Sequence, residues 1–145
     1  LNLSSQPFLV INADILCDWP LSKAFKISSS EILDEKLAYL VLTKTQSLSG
    51  DFHLVGNTVF NNINDRIGAN NYKLTFTGIG IYRPQFFQRI KRGTFGKLKD
   101  ILIPAIEKGL VMGELHKGKW EDIGTNERLE DAKSKYERKR GKALD

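Results

Sequence analysis

The sequence predicts an α/β fold, and two long apolar runs are the main reason. Residues 8–13 and residues 37–43 are almost continuously apolar, which is typical of strands that are covered on both faces of a sheet. The residues between the two runs are numerous enough to form a helix and its turns. Two buried strands with a connection of helical length predict a parallel β-α-β unit.

The length of the chain allows one folded unit. With 145 residues, of which 41% are hydrophobic and 27% charged, residues 1–145 can form a single domain or part of one, but not two domains. No apolar run reaches transmembrane length, so we expect no membrane association. The single cysteine, Cys17, excludes an internal disulfide and a multi-cysteine metal site and favours a reducing, cytoplasmic location.

The positive charge is concentrated at the C-terminus. Of the net charge of +5, +4 lies from Lys133 onward. Four basic residues of this tail have the i, i+3, i+4, i+7 spacing of one helix face: Lys135, Arg138, Lys139 and Lys142. Such a stripe is usually a solvated face, and nucleic-acid binding requires interleaved aromatic residues, of which the tail has only Tyr136. We therefore predict a basic C-terminal helix over residues 126–145 and no nucleic-acid partner.

Turn-forming residues divide the first half of the chain. Pro20 suits the start of a short helix that we expect to end near Phe25. A glycine and an asparagine at positions 56–57 lie between two short strand-like pieces and predict a hairpin. Residues 61–71 are polar and show no apolar period, which indicates a loop.

Residues 72–82 again have strand character, since threonine, phenylalanine and isoleucine favour extended backbone. Gly78 and Gly80 lie inside this predicted strand. A glycine within a strand permits the close approach of a ligand or another chain segment, and it is also a common sign of a bulge. At Gly78 we favour the ligand.

Helical patterns dominate the last third of the chain. Pro84 is expected to begin a helix that ends at Gly93, with its apolar side chains facing the core. Apolar residues recur at helical spacing from residue 98 to residue 106, and Pro104 within that pattern should kink or split the helix. Thr125 is a suitable N-cap for the final helix.

Two carboxylates lie at predicted strand ends. Asp14 ends the first apolar run, and Asp122 lies in a strand-like segment just before the final helix. Ligands of open α/β sheets bind beyond the carboxyl ends of the strands. Two carboxylates without a third acid suit Mg²⁺, which keeps several waters and takes further ligands from substrate phosphates. Two alternatives stay open: Asp14 as a turn former, and Asp122 as a helix cap beside Thr125.

Other catalytic patterns are missing from the sequence. It contains no G-x-S-x-G, no P-loop and no dinucleotide-binding G-x-G-x-x-G. His53 and His116 do not have the spacing of a metal pair, and we interpret them as histidines at solvent-exposed edges. Covalent catalysis therefore has no candidate nucleophile with a recognisable partner.

Four segments, taken in order, resemble the motifs of the sugar-1-phosphate nucleotidyltransferases. They are residues 8–15 (FLVINADI), 50–52 (GDF), 75–84 (TFTGIGIYRP) and 113–129 (GELHKGKWEDIGTNERL). This resemblance implies the Rossmann-like fold of the nucleotide-diphospho-sugar transferases, here a mixed sheet flanked by helices.

The resemblance also implies roles for individual residues. Asp14 and Asp122 match the two acids that hold the catalytic Mg²⁺ in that family. The residues implied in substrate binding are Asn12, Gly50, Thr77, Gly78, Glu114 and Trp120. Two of these have plain structural alternatives, because Glu114 can be an ordinary surface acid and Trp120 an ordinary core residue.

The implied activity is the transfer of UMP from UTP to a sugar 1-phosphate, with release of pyrophosphate. Many hexose-1-phosphate enzymes of the family carry a Glu-Lys-Pro segment where this chain has residues 59–71. Its absence favours N-acetylmuramate 1-phosphate, a sugar phosphate of bacterial cell-wall recycling, over mannose or glucose 1-phosphate.

The family's glycine-rich loop and its uridine-binding segment precede the first motif and are missing from this chain. We therefore expect the chain to correspond to the sugar- and metal-binding C-terminal half of such an enzyme, which alone is an incomplete and inactive fragment. The alternative is a non-catalytic sugar-phosphate-binding or regulatory module.

Overall fold

A computed structural model describes residues 6–45, 49–62, 72–88, 90, 93 and 96–141. Six strands form a mixed sheet with the order β1-β6-β3-β7-β5-β4, and two further strands, β2 and β8, form a separate ribbon. The strands are β1 Phe8–Ile11, β2 Ile15–Cys17, β3 Ala38–Thr43, β4 His53–Val55, β5 Thr58–Phe60, β6 Thr75–Tyr82, β7 Val111–His116 and β8 Trp120–Asp122. The helices are α1 Ser22–Ser28, α2 Leu98–Glu107 and α3 Asn126–Gly141, with 3-10 turns at Glu31–Leu33 and Pro84–Phe87.

Strand β3 is the centre of the sheet, and all six of its residues are buried. It pairs in parallel with β7 and antiparallel with β6. Leu40 and Leu42 pack on the face covered by α2, whereas Tyr39 and Val41 pack on the face covered by α1. The continuous apolar run therefore has the predicted cause, burial on both faces of an α/β sheet.

Strand β1 differs from the prediction. It is an edge strand that, among the described residues, pairs only with β6, and its Val10 and Ile11 are 38% and 43% exposed. Burial on both faces was therefore the wrong expectation. The predicted parallel unit is also corrected, because β6 lies between β1 and β3 and is antiparallel to both. The two apolar strands run in the same direction but do not pair.

The hairpin and the strand that follows it are confirmed. β4 and β5 pair antiparallel around Gly56, which has a φ of +57°, and β6 covers most of the predicted strand at 72–82. The predicted loop falls largely on residues 63–71, which lie outside the described residues.

Two helix predictions need correction. Of the helix expected from Pro84 to Gly93, the described residues form a single 3-10 turn, Pro84–Phe87, and Ile90 is 38% exposed instead of facing the core. Helix α2 continues through Pro104, so the helix does not split there, and a kink at Pro104 stays a prediction. Pro104 is exposed, so water can bond the carbonyl that loses its helical partner.

The final helix begins as predicted. The backbone N–H of Arg128 donates to Thr125 Oγ1 at 3.3 Å, which is an N-cap contact. None of the helices in the described part of the chain combines the length and apolar character needed to cross a bilayer.

Candidate functional site

The β2/β8 ribbon brings the two predicted acids to one end. β2 and β8 pair antiparallel, with Ile15 opposite Asp122. Asp14 immediately precedes β2, and its carbonyl accepts a hydrogen bond of 2.9 Å from the backbone N–H of Ile123. Asp14 and Asp122 thus emerge from adjacent strands at the same level of the ribbon.

The two carboxylates converge above Gly124. A Cβ atom placed on Gly124 would lie 3.1 Å from Asp122 Oδ1 and 3.2 Å from Asp14 Oδ2. Asp14 is exposed, and the Asp122 side chain is 38% exposed. Each acid therefore has an oxygen close to the same point beside Gly124, where a side chain would be in tight contact with both.

This donor set fits Mg²⁺. Within the described residues, no group of three or more His, Cys, Asp or Glu side chains could hold a metal ion. Zinc sites use three or four nitrogen, sulfur or carboxylate ligands, whereas Mg²⁺ is commonly bound by one or two carboxylates plus water and phosphate. Asp14 and Asp122 are the residues that could hold such a cation.

Asp122 already has partners for both oxygens. Gly124 donates its backbone N–H to Oδ1 at 2.9 Å, and Arg128 Nη1 lies 2.5 Å from Oδ2. The Gly124 hydrogen bond is the main reason why the pKa of Asp122 is lowered, and the positive charge of Arg128 adds to it. The carboxyl of Asp122 is therefore ionised at neutral pH, as a cation ligand must be.

A hydrogen-bonded clamp closes the other end of the ribbon. Asp18 Oδ1 accepts the backbone N–H of Lys119 at 2.8 Å and lies 2.9 Å from His116 Nε2. The backbone N–H of Asp18 donates to the Lys119 carbonyl at 3.1 Å. The role of Asp18 was not predicted from the sequence, although its position four residues after Asp14 places the two acids at opposite ends of the three-residue strand β2.

The interpretation of both histidines as exposed is wrong. The side chain of His116 is 9% exposed because it packs against the clamp. His53 is 8% exposed, and its burial, with a contribution from the charge of Lys73, lowers its pKa from 6.5.

Trp120 ties the ribbon to the main sheet. Its Nε1 donates to the carbonyl of Thr77 at 2.9 Å. The side chain of Thr77 is fully buried and donates from Oγ1 to the Val41 carbonyl at 2.8 Å. The hydroxyl of Thr77 therefore connects β6 to β3, while its carbonyl positions Trp120 near the acids.

Gly78 lies at a β-bulge. The β3/β6 register shifts between Leu40 and Leu42, and Gly78 has a φ of +85°. A Cβ atom there would lie 2.7 Å from Asn12 Cγ, and the backbone N–H of Asn12 donates to the Gly78 carbonyl at 2.9 Å. The structure thus shows the bulge and a close segment of the same chain, and a ligand contact at Gly78 stays a prediction.

Gly50 and Glu114 have contacts of their own, separate from the acid pair. Gly50 has a φ of +72°, and a Cβ atom on it would lie 2.5 Å from the Lys73 carbonyl oxygen. Glu114 accepts hydrogen bonds from the indole of Trp19 and from Lys23 Nζ, the latter at 3.1 Å. Both substrate-binding roles remain predictions.

Comparison with known proteins supports the family assignment. No family model matches the sequence. The chain is 36% identical, over 135 residues and 91% of its length, to N-acetylmuramate alpha-1-phosphate uridylyltransferase of Neisseria meningitidis serogroup B. The resemblance predicted from the motifs is confirmed. The chain spans 56% of the length of that relative, and the prediction of a single or partial domain over residues 1–145 is not tested by it.

Solved structures confirm the fold class. The chain superposes on apo UDP-glucose pyrophosphorylase with a TM-score of 0.61 and 20% identity, covering 94% of this chain and 56% of that one. It superposes on UTP-bound UGPase from Acinetobacter baumannii with a TM-score of 0.64 and 15% identity, covering 91% and 51%. At these identities the likeness concerns the fold, which is that of the nucleotide-diphospho-sugar transferases.

Proposed function

We propose that this chain is the sugar- and metal-binding part of a sugar-1-phosphate nucleotidyltransferase. The observation that carries the proposal is the convergence of Asp14 and Asp122 above Gly124. The two acids come from two separate motifs of the sequence resemblance, and the β2/β8 pairing joins them in space. The identity to the Neisseria relative supports the same family.

The proposed reaction needs positioned charges and no protein nucleophile. A phosphate oxygen of the sugar 1-phosphate forms a bond to the α-phosphorus of a nucleoside triphosphate, and the bond from that phosphorus to the pyrophosphate group breaks. Such a displacement depends on orientation and on neutralisation of phosphate charge. Asp14 and Asp122 would hold Mg²⁺, whose charge supplies that neutralisation. The Trp120 hydrogen bond to Thr77 and the Asp18 clamp keep the ribbon that carries both acids in place.

The substrates we propose are UTP and N-acetylmuramate 1-phosphate. The name of the Neisseria relative supports this pair, and so does the missing Glu-Lys-Pro segment. The corresponding role is in cell-wall recycling, in the cytoplasm. Nucleic acid and membrane are not part of the proposal.

A second candidate is a sugar-phosphate-binding module without transferase activity. The observation in its favour is that two carboxylates on one ribbon can hold a cation with a bound phosphate without any group acting on a nucleotide. Both candidates share the Asp14 and Asp122 site, and they differ in whether that site takes part in nucleotide transfer.

Equilibrium dialysis and a pyrophosphate assay distinguish the two. The 145-residue chain is dialysed against N-acetylmuramate 1-phosphate, glucose 1-phosphate or mannose 1-phosphate, with and without Mg²⁺, and pyrophosphate release is then followed after addition of UTP. We expect Mg²⁺-dependent retention of the muramate sugar phosphate, with loss of retention in Asp14→Asn and not in Asp100→Asn, an exposed acid on α2. Pyrophosphate release, from the chain alone or after addition of the part of the Neisseria relative that this chain does not cover, supports the transferase. Retention without release in both cases supports the binding module. Equal retention with and without Mg²⁺ contradicts both.

A further inference from the structure

An ion pair already occupies Oδ2 of Asp122, the carboxylate oxygen next to the one that faces Asp14. Arg128 Nη1 lies 2.5 Å from Asp122 Oδ2, and the Arg128 side chain is 53% exposed. Its backbone is fixed in the first turn of α3 by the cap on Thr125. A long, half-exposed side chain on a fixed backbone can move its guanidinium by changing rotamer, without any rearrangement of the helix.

A divalent cation must compete with this arginine. Asp122 Oδ1 accepts the Gly124 N–H and Oδ2 accepts Arg128, so neither oxygen is free of a donor. A guanidinium and a divalent cation on the same carboxylate would repel each other, and at short distance this repulsion is substantial even near a protein surface. Binding of the cation at Asp122 therefore favours departure of the guanidinium.

Among the described residues, no other cationic side chain is bonded to Asp122. Asp122 and Arg128 line a cavity of about 480 Å³ together with Lys44, Glu121, Asp131 and Lys135. Lys135 Nζ is held 2.8 Å from Asp131 and 3.7 Å from Glu121. Lys135 lies on the same helix and in the same cavity as Arg128 but pairs with other acids, so it is a matched control.

We propose that Arg128 is an internal counter-ion that neutralises Asp122 through Oδ2 while the divalent cation is absent, and that it turns to the substrate's phosphate once the cation is bound. This inference rests on the proposed function. The planar guanidinium can bond two phosphate oxygens at once, and the cavity beside it is open to solvent. Arg128 thus weakens the binding of the metal alone and strengthens the binding of phosphate in the presence of metal.

Titration with Mn²⁺, followed by the electron paramagnetic resonance of the free ion, tests the first half. The 145-residue chain is compared with its Arg128→Gln and Lys135→Gln variants, and circular dichroism checks that each is folded. We expect Arg128→Gln to bind Mn²⁺ about two- to fivefold more tightly, the range that corresponds to an exposed ion pair. Lys135→Gln should stay within about twofold of the unmodified chain. Equal or weaker Mn²⁺ binding by Arg128→Gln overturns the proposal.

Dialysis against inorganic phosphate tests the second half. With Mn²⁺ at saturation, Arg128→Gln should retain less phosphate than Lys135→Gln, and equal retention overturns this half of the proposal. The Asp14→Asn variant tests the two-acid site separately from the role of Arg128. If it binds Mn²⁺ as the unmodified chain does, the two-acid site of the proposed function is wrong, whatever the arginine does. If no form of the chain binds Mn²⁺, both proposals are overturned.

Discussion

Gly124→Ala would place a methyl group between the two acids. The new Cβ would lie 3.1 Å from Asp122 Oδ1 and 3.2 Å from Asp14 Oδ2, whereas ordinary contacts begin at 3.4 Å. Asp122 cannot easily give way, because Gly124 and Arg128 hold its two oxygens. The exposed carboxylate of Asp14 would therefore shift by a few tenths of an ångström, away from Asp122.

The expected loss is in cation binding and not in folding. Gly124 is not among the glycines with positive φ, so alanine is compatible with its backbone and can stabilise the chain by about 0.4–1 kcal/mol through the unfolded state. Loss of one charged ligand contact costs about 1.5–3 kcal/mol, which corresponds to a decrease in Mn²⁺ affinity of about 10- to 150-fold.

Two measurements check this prediction, a Mn²⁺ titration and a urea denaturation curve. Gly96→Ala is the matched control, because a Cβ on Gly96 would have no neighbour within 4 Å and its φ is not positive either. If Gly124→Ala and Gly96→Ala bind Mn²⁺ with equal affinity, the two carboxylates do not share a cation above Gly124 and the reasoning is refuted.

Three further predictions concern the supports of the site. Gly78 has a φ of +85°, and a Cβ atom there would collide with Asn12. Gly78→Ala should therefore strain the backbone and lower the free energy of unfolding by about 1–3 kcal/mol; an unchanged urea midpoint would show that alanine causes no strain there. Trp120→Phe removes the hydrogen bond to the Thr77 carbonyl and should cost about 1 kcal/mol or more, with weaker Mn²⁺ binding; unchanged stability would show that this bond does not hold the ribbon. Because burial lowers the pKa of His53 below 6.5, the unfolded chain takes up the proton first, so stability should fall between pH 7.5 and pH 5.5. His53→Asn should reduce this loss of stability at low pH. If the variant loses as much stability as the unmodified chain, titratable groups other than His53 cause the loss.

The sequence predicts the centre of the sheet better than its edge. In β3 every residue is buried, and continuous hydrophobicity is the direct consequence of two covered faces. β1 has the same composition but lies at the edge with Val10 and Ile11 exposed, because composition does not say how many strands lie beside it. Pro104 predicts a kink or a split in α2, and the helix does not split, because an exposed carbonyl can be hydrated. The sequence alone does not show which face of the helix is exposed.

The acids of the site were predictable and their supports were not. Asp14 and Asp122 were found because each follows a strand-like segment and because the motifs resemble a known family. The ribbon that joins them consists of two strands of three residues each, too short to show a period of two. Arg128 was missed because its contact with Asp122 depends on the path of the turn before α3, which brings together residues six positions apart.

The shared cation is the central claim, and a double-variant Mn²⁺ titration tests it most directly. The unmodified chain, Asp14→Asn, Asp122→Asn and the double variant are titrated under the same conditions, with circular dichroism as the check on folding. If the two acids hold one ion, the unmodified chain binds one Mn²⁺ at this site, each single variant loses most of the affinity, and the double variant is little worse than either. If Asp122→Asn keeps the affinity of the unmodified chain, or if the two losses simply add, the acids do not share a cation and Asp122 is a structural acid before α3.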